Sequence, residues 1–178
     1  YRSYLNEHPF YKTIKLELDD KDEMNKKIEY EPYRSVDPTN EIPLEAEIDD
    51  LTRLHYIIIS RKVSTILEFG VGVSTLVFDN ALDYNKSKHN KYLSKNLRRS
   101  NPFKCFSVDN SEKWIEHIKK ENNFNNVTFH YTECEVSTFN GRICTFYKNL
   151  PNICPDLIYI DAPDQFSVEG NVRGISTR

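Results

Sequence analysis

Ile66-Leu67-Glu68-Phe69-Gly70-Val71-Gly72-Val73-Ser74-Thr75-Leu76 is the stretch whose reading decides the fold. A short apolar run meets an acidic residue, and a Gly-x-Gly turn follows at once. Beyond the turn, Leu76, Val77, Ala81 and Leu82 supply the apolar positions of a helix. Strand, glycine turn and helix in direct succession build a seat for a nucleotide-like ligand. Glycines let a ligand approach the backbone, and a helix start offers unpaired N–H groups with a partial positive charge.

Working outward, strands and helices alternate. Leu44, Ile48, Leu51, Leu54, His55 and Ile58 share one helical face, and this helix ends near Ser60-Arg61-Lys62, just before a strand over 65–69. Residues 103–108 predict a second strand, stopping at Asp109-Asn110-Ser111. Ser111 is placed as the N-cap of a helix carrying Trp114, Ile115 and Ile118. A third strand is expected over 127–132 and a further extended or helical piece over 143–150. The fourth strand, 156–161, is nearly all apolar, as a strand buried on both faces should be. The expected fold is α/β, a doubly wound and mostly parallel sheet with helices on both faces.

Residues 1–43 read as an N-terminal extension and 44–178 as the ligand-binding domain. The stretch 16–50 is strongly acidic and is broken by Pro32, Pro38 and Pro43, so it is expected to be a solvated surface, with a partner-binding role as the alternative. Residues 84–102 carry Lys86, Lys88, Lys91, Lys95, Arg98 and Arg99 without a carboxylate. They read as a surface insertion between helix and strand, with a lip for an anionic substrate as the alternative.

A net charge of −3 gives no global electrostatic case for nucleic acid or a membrane as partner. No apolar run is long enough for a membrane span, and no signal-peptide pattern opens the chain. Cys105, Cys134, Cys144 and Cys154 form no Cys-x-x-Cys pair and read as reduced thiols of a cytoplasmic protein. His55, on an apolar helix face, and His130, inside a strand, read as structural.

Glu68, Asp109 and Asp161 each sit at or near the C-terminal end of an expected strand. Ligands of open α/β sheets bind outside those ends, where strand order reverses. At these residues the chain resembles the class I S-adenosylmethionine-dependent methyltransferases. Glu68-Phe69-Gly70-Val71-Gly72 is similar to the family's first motif, Phe106-Ser107-Val108-Asp109 to its second, and Asp156-Leu157-Ile158-Tyr159-Ile160-Asp161 to its fourth. The order and approximate spacing agree over residues 63–164.

The resemblance implies S-adenosyl-L-methionine as cofactor, held by Glu68, Gly70, Gly72, Ser74, Asp109, Asn110, Glu133 and Glu135. Asp109 would take the ribose hydroxyls, and Glu68 would orient the turn and meet the methionine ammonium directly or through water. Glu133 and Glu135 would flank the adenine, an assignment made on position alone. Ser74 replaces a frequent third glycine and is expected to cap the next helix. Asp161, then Asp164, are the expected bases for a hydroxyl acceptor on a small molecule or sugar. A metal would need ligands from a further strand that cannot be identified here, so none is expected.

The fourth-strand loop lacks the Asn/Asp-Pro-Pro-Tyr of enzymes that methylate amino groups on adenine or glutamine. The rival readings are a nicotinamide- or nucleotide-binding oxidoreductase and a non-catalytic S-adenosylmethionine-binding module. Against the oxidoreductase, the sixth position of its Gly-x-Gly-x-x-Gly fingerprint is Thr75, and Asp109 lies well beyond the usual ~20-residue spacing. The family's sheet continues past a fourth strand. Its C-terminal strands are expected to be absent from this sequence, with a partner chain, such as a second copy in a homo-oligomer, as the other way to cover the edge.

Overall fold

The computed structural model describes residues 2–13, 47–98 and 100–163. Along the chain run α1 (Arg2–Glu7), α2 (Phe10–Thr13), α3 (Ile48–Ser60), β1 (Thr65–Phe69), α4 (Val73–Asn96), β2 (Lys104–Asp109), α5 (Glu112–Glu121), β3 (Val127–Tyr131), β4 (Cys134–Phe139), β5 (Arg142–Tyr147) and β6 (Leu157–Ile160). The fold is α/β. Four strands form an all-parallel sheet in the order β3-β2-β1-β6, and β4 and β5 form a separate antiparallel hairpin.

Strand register assigns the two faces of the sheet. Ile66, Cys105, Val127 and Leu157 form one row, and Glu68, Ser107, Phe129 and Tyr159 form another on the same face. Ile66 and Cys105 pack with Ile58 of α3 and with Phe78, Ala81 and Leu82 of α4, while Phe129 packs with Ile115 and Ile118 of α5. Each fully buried large apolar side chain here contributes ~1.5–3 kcal/mol relative to exposure. Helices α3, α4 and α5 therefore cover one face, which corrects the expectation of helices on both faces for the described residues.

The opposite face carries Leu67, Phe69, Phe106, Val108, Thr128, His130, Ile158 and Ile160. β6 is not buried on both faces as expected. Leu157 and Tyr159 pack towards the helices, but Ile158 and Ile160 are 55% and 71% exposed. Side chains alternate across the sheet, and among the described residues no helix packs over β6 on the face that Ile158 and Ile160 share.

α4 departs most from the sequence reading. The basic stretch expected to be an insertion continues the helix to Asn96. It contains no glycine or proline, so a helix anchored by its packed first half propagates through it, with Leu93 buried as a late anchor. At 24 residues the helix is about 36 Å long. It starts at the carboxyl end of β1 and runs to the opposite end of the sheet. The lysines therefore lie far from any crevice at the strand ends, and they do not form a substrate lip.

Residues 2–13 are part of the packing, since Leu5 and Phe10 are buried with Leu51 of α3 and Val77 of α4. Tyr4 Oη bonds His55 Nδ1 at 2.7 Å, Asn80 Oδ1 lies 3.1 Å from His55 Nε2, and Phe10 stacks on the imidazole. Burial pushes His55 down to about 4, so it is a neutral core residue. Among the described residues no helix is long and apolar enough to cross a membrane.

Candidate functional site

The sheet runs outward from β1 in two directions, to β2 and β3 on one side and to β6 on the other. Strand order thus reverses between β1 and β6, and ligand crevices of open parallel sheets form at the carboxyl ends of such a pair. Gly70 and Asp161 leave these two ends. Asp161 N donates to Phe69 O at 2.8 Å, and Gly70 N donates to Val108 O at 2.8 Å, so the turn is tied to both neighbours.

The two glycines have different jobs. Gly70 has φ +103°, and a Cβ there would stand 2.7 Å from Asp161 O. Its lack of a side chain serves chain packing across the switch point. Gly72 has φ −173°, an extended conformation open to any residue, and a Cβ there would meet nothing within 4 Å. The space above Gly72 is therefore open to a ligand, and conformation is not what requires a glycine.

Glu68 is fully buried. Ser74 Oγ donates to its Oε1 at 2.6 Å, and Thr75 Oγ1 and Ser107 Oγ donate to Oε2 at 2.8 and 2.6 Å. One carboxylate thus ties β1, β2 and the start of α4 together. With no exposed surface it orients the turn and does not meet a ligand directly. Burial pushes Glu68 up to about 7, a rise that the three hydroxyls moderate and the nearby Asp109 adds to. Ser74 is not the helix cap expected of it. Gly72 occupies that position, and Thr75 Oγ1 accepts the Gly72 N–H at 3.0 Å.

Asp109 ends β2 as expected and is 7% exposed. Its Oδ2 accepts the Val71 N–H at 2.9 Å and its Oδ1 the Ser111 N–H at 2.8 Å. It therefore holds the glycine turn in place against its own loop. A carboxylate accepts about four hydrogen bonds, so holding the loop is compatible with holding a diol. Trp114 adds a second clamp, with Nε1 donating to Val71 O. Ser111 caps α5 as expected, its Oγ accepting the Trp114 N–H. Asn110 follows Asp109, half-buried beside the turn.

Glu133 and Glu135 flank Cys134 at the start of the hairpin. Both are exposed, Glu133 paired with Lys148 and Glu135 on β4 opposite Phe146. The Lys148 ammonium holds Glu133 below the usual carboxylate range. The hairpin that carries them replaces the expected loop followed by an extended or helical piece. Its base is fixed to β2, because Thr132 N donates to Asp109 O at 3.0 Å and Asn149 N donates to Thr132 Oγ1 at 3.0 Å. Tyr147, at the end of β5, packs its ring on Phe69 with centroids 5.0 Å apart.

Asp161 is exposed at the end of β6, where Tyr159 Oη donates to its Oδ2 at 3.3 Å. Burial, then the Asp161 charge, push Tyr159 up to about 12, so it stays a neutral donor. Asp164 lies outside the described residues. His130 lies on β3 with its ring stacked on Phe106. Cavities of about 290 and 310 Å³ open elsewhere, beside Asp79, Asp83 and Glu121 and beside Tyr4 and Tyr56. Neither touches the strand-end crevice. Among the described residues no group of three or more His, Cys, Asp or Glu is placed to hold a metal ion.

Sequence reasoning missed Thr75, Ser107, Trp114 and Tyr147. Ser107 carried a signal, a hydroxyl in register to face Glu68 from the next strand. Thr75 carried another, a hydroxyl three residues after the cap. Compared with known families and with curated proteins, the chain matches no family model and no curated protein.

Proposed function

We propose that this chain is a Rossmann-like, S-adenosyl-L-methionine-dependent methyltransferase acting on a hydroxyl of a small molecule or sugar. The observation that carries this reading is the Val71 N–H to Asp109 Oδ2 bond beside the β1/β6 switch point. It joins a glycine turn with open space above Gly72 to a strand-end carboxylate suited to a ribose diol. Charge supports the choice of ligand. Asp109 and Asp161 end the strands on either side of β1, where an anionic pyrophosphate is repelled and a sulfonium with an ammonium tail is attracted. The Gly72 amide is already taken by Thr75 Oγ1, which removes one of the donors a pyrophosphate would use.

S-adenosylmethionine, when bound, supplies an activated methyl group. What remains for the chain is to position both partners, exclude water and receive the acceptor's proton. The Gly70–Gly72 turn, clamped by Asp109 and Trp114, is the positioning element. Asp161 receives the hydroxyl proton on a carboxylate oxygen, with Tyr159 Oη orienting it. Calorimetry tests the reading. S-adenosylhomocysteine should bind the wild-type chain with micromolar Kd and, at a hundredfold excess over Kd, stabilise it by about 2.7 kcal/mol. Binding of a nicotinamide dinucleotide in its place would transfer the site to the oxidoreductase reading.

A further inference from the structure

Three buried polar atoms among the described residues lack a hydrogen-bond partner: Asn85 Oδ1, His130 Nε2 and Tyr147 Oη. Asn85 lies at the bottom of the helical layer, where its amide already bridges Ile58 O and Val63 O. His130 belongs to the outer strand β3. Tyr147 alone stands at the crevice. It faces Cys134 across the hairpin, and its ring lies on Phe69, the residue before Gly70. Burial pushes the phenol well above its usual range, so it stays a neutral donor, and the base of its hairpin is tied to Asp109 by the Thr132 N–H.

Tyr147 is half-buried, but its hydroxyl oxygen is shielded, and a shielded hydroxyl without a partner is a cost that folding tolerates only for some return. Cys134, the cross-strand neighbour, is a thiol that burial pushes up to about 11, and a thiol is a weak hydrogen-bonding partner. The backbone bonds at the hairpin base fix where the tyrosine starts, since Lys148 N donates to Glu133 O and Thr132 N donates to Asp109 O, both at 3.0 Å.

We propose that Tyr147 is a ligand-binding residue of this site, its hydroxyl hydrogen-bonding the nucleoside part of the bound molecule. This rests on the reading under Proposed function and adds to it a residue from the hairpin. With Oη shielded in the present arrangement, the ligand meets it after the ring turns off Phe69. That turn breaks one aromatic contact and no backbone hydrogen bond.

Tyr147→Phe in the full chain tests the inference with two readouts, melting without ligand and calorimetric affinity for S-adenosylhomocysteine and for adenosine. Removing an unpartnered hydroxyl should leave the melting temperature unchanged or raise it. Both affinities should fall, by roughly five- to twentyfold, the loss expected for one hydrogen bond in a dry site. Equal affinities in variant and wild type overturn the proposal and leave the methyltransferase reading standing. A loss for S-adenosylhomocysteine but not for adenosine overturns the assignment to the nucleoside. A lower melting temperature without ligand shows that the hydroxyl already has a partner in the free protein, which removes the premise. Failure of the wild type to bind either probe overturns the site reading itself.

Discussion

Replacing Glu68 with glutamine should uncouple two titrations that oppose each other in the wild-type protein. Glu68 is pushed up to about 7 from an ordinary 4.5, so the folded state prefers its neutral form. The stability this brings is fully present below pH 4.5 and is lost as pH rises through 7. His55 is pushed down to about 4 from 6.5. Its contribution is fully present above pH 6.5 and is lost as pH falls through 4. Each shift of about 2.5 units corresponds to ~3 kcal/mol. Between pH 4.5 and 6.5 the unfolded chain binds the His55 proton and the folded chain the Glu68 proton, so the two slopes cancel. Glutamine removes one of them. Across this window Glu68→Gln should gain stability relative to wild type by ~1.4 kcal/mol per pH unit, the full slope of one proton. The hydroxyls of Ser74, Thr75 and Ser107 can rotate to serve an amide as they serve a carboxylate. Urea unfolding of both proteins at pH 5, 6, 7 and 8 measures the difference, in which shared groups drop out. Parallel stability curves would falsify the buried, neutralised Glu68 described here.

The two glycines should respond oppositely. Gly70→Ala sets a Cβ 2.7 Å from Asp161 O at a positive φ, so its unfolding free energy should drop by at least ~2 kcal/mol. Gly72→Ala should unfold within ~1 kcal/mol of wild type yet bind S-adenosylhomocysteine more weakly, because its methyl group enters the open space; unchanged affinity would take the ligand elsewhere. Asp109→Asn places an amide NH₂ where one of the Val71 and Ser111 N–H groups needs an acceptor. It should lose about 1–3 kcal/mol of stability in urea and at least about fivefold in affinity by calorimetry. A loss of affinity without loss of stability would mean that the turn does not depend on this carboxylate.

The central motif was legible because it is local. β1 lies where the apolar run of residues 65–69 puts it, the α5 cap at Ser111 follows from the residue type, and the strand-end acids follow from where each run stops. The β4–β5 hairpin was not, because its polar and apolar residues serve two exposed strands that bury little and so carry weak periodicity. The tail of α4 was missed for a related reason. Its lysines, asparagines and serines signal a loop by composition, while the helix persists by propagation from a packed start.

The sequence by itself determined that a glycine turn follows a buried strand and that acids end its neighbours, since backbone preference and hydrophobic period are properties of a few adjacent residues. Only the tertiary structure decided what each acid does. Glu68 and Asp109 look alike in sequence, yet one is sealed by three hydroxyls from two elements while the other grips the turn beside open space. Burial and hydrogen-bond partners set the role of a carboxylate, and those partners come from across the sheet. For the same reason the contact of Tyr147 with Phe69, made by a hairpin that forms far along the chain, came into view only with the fold.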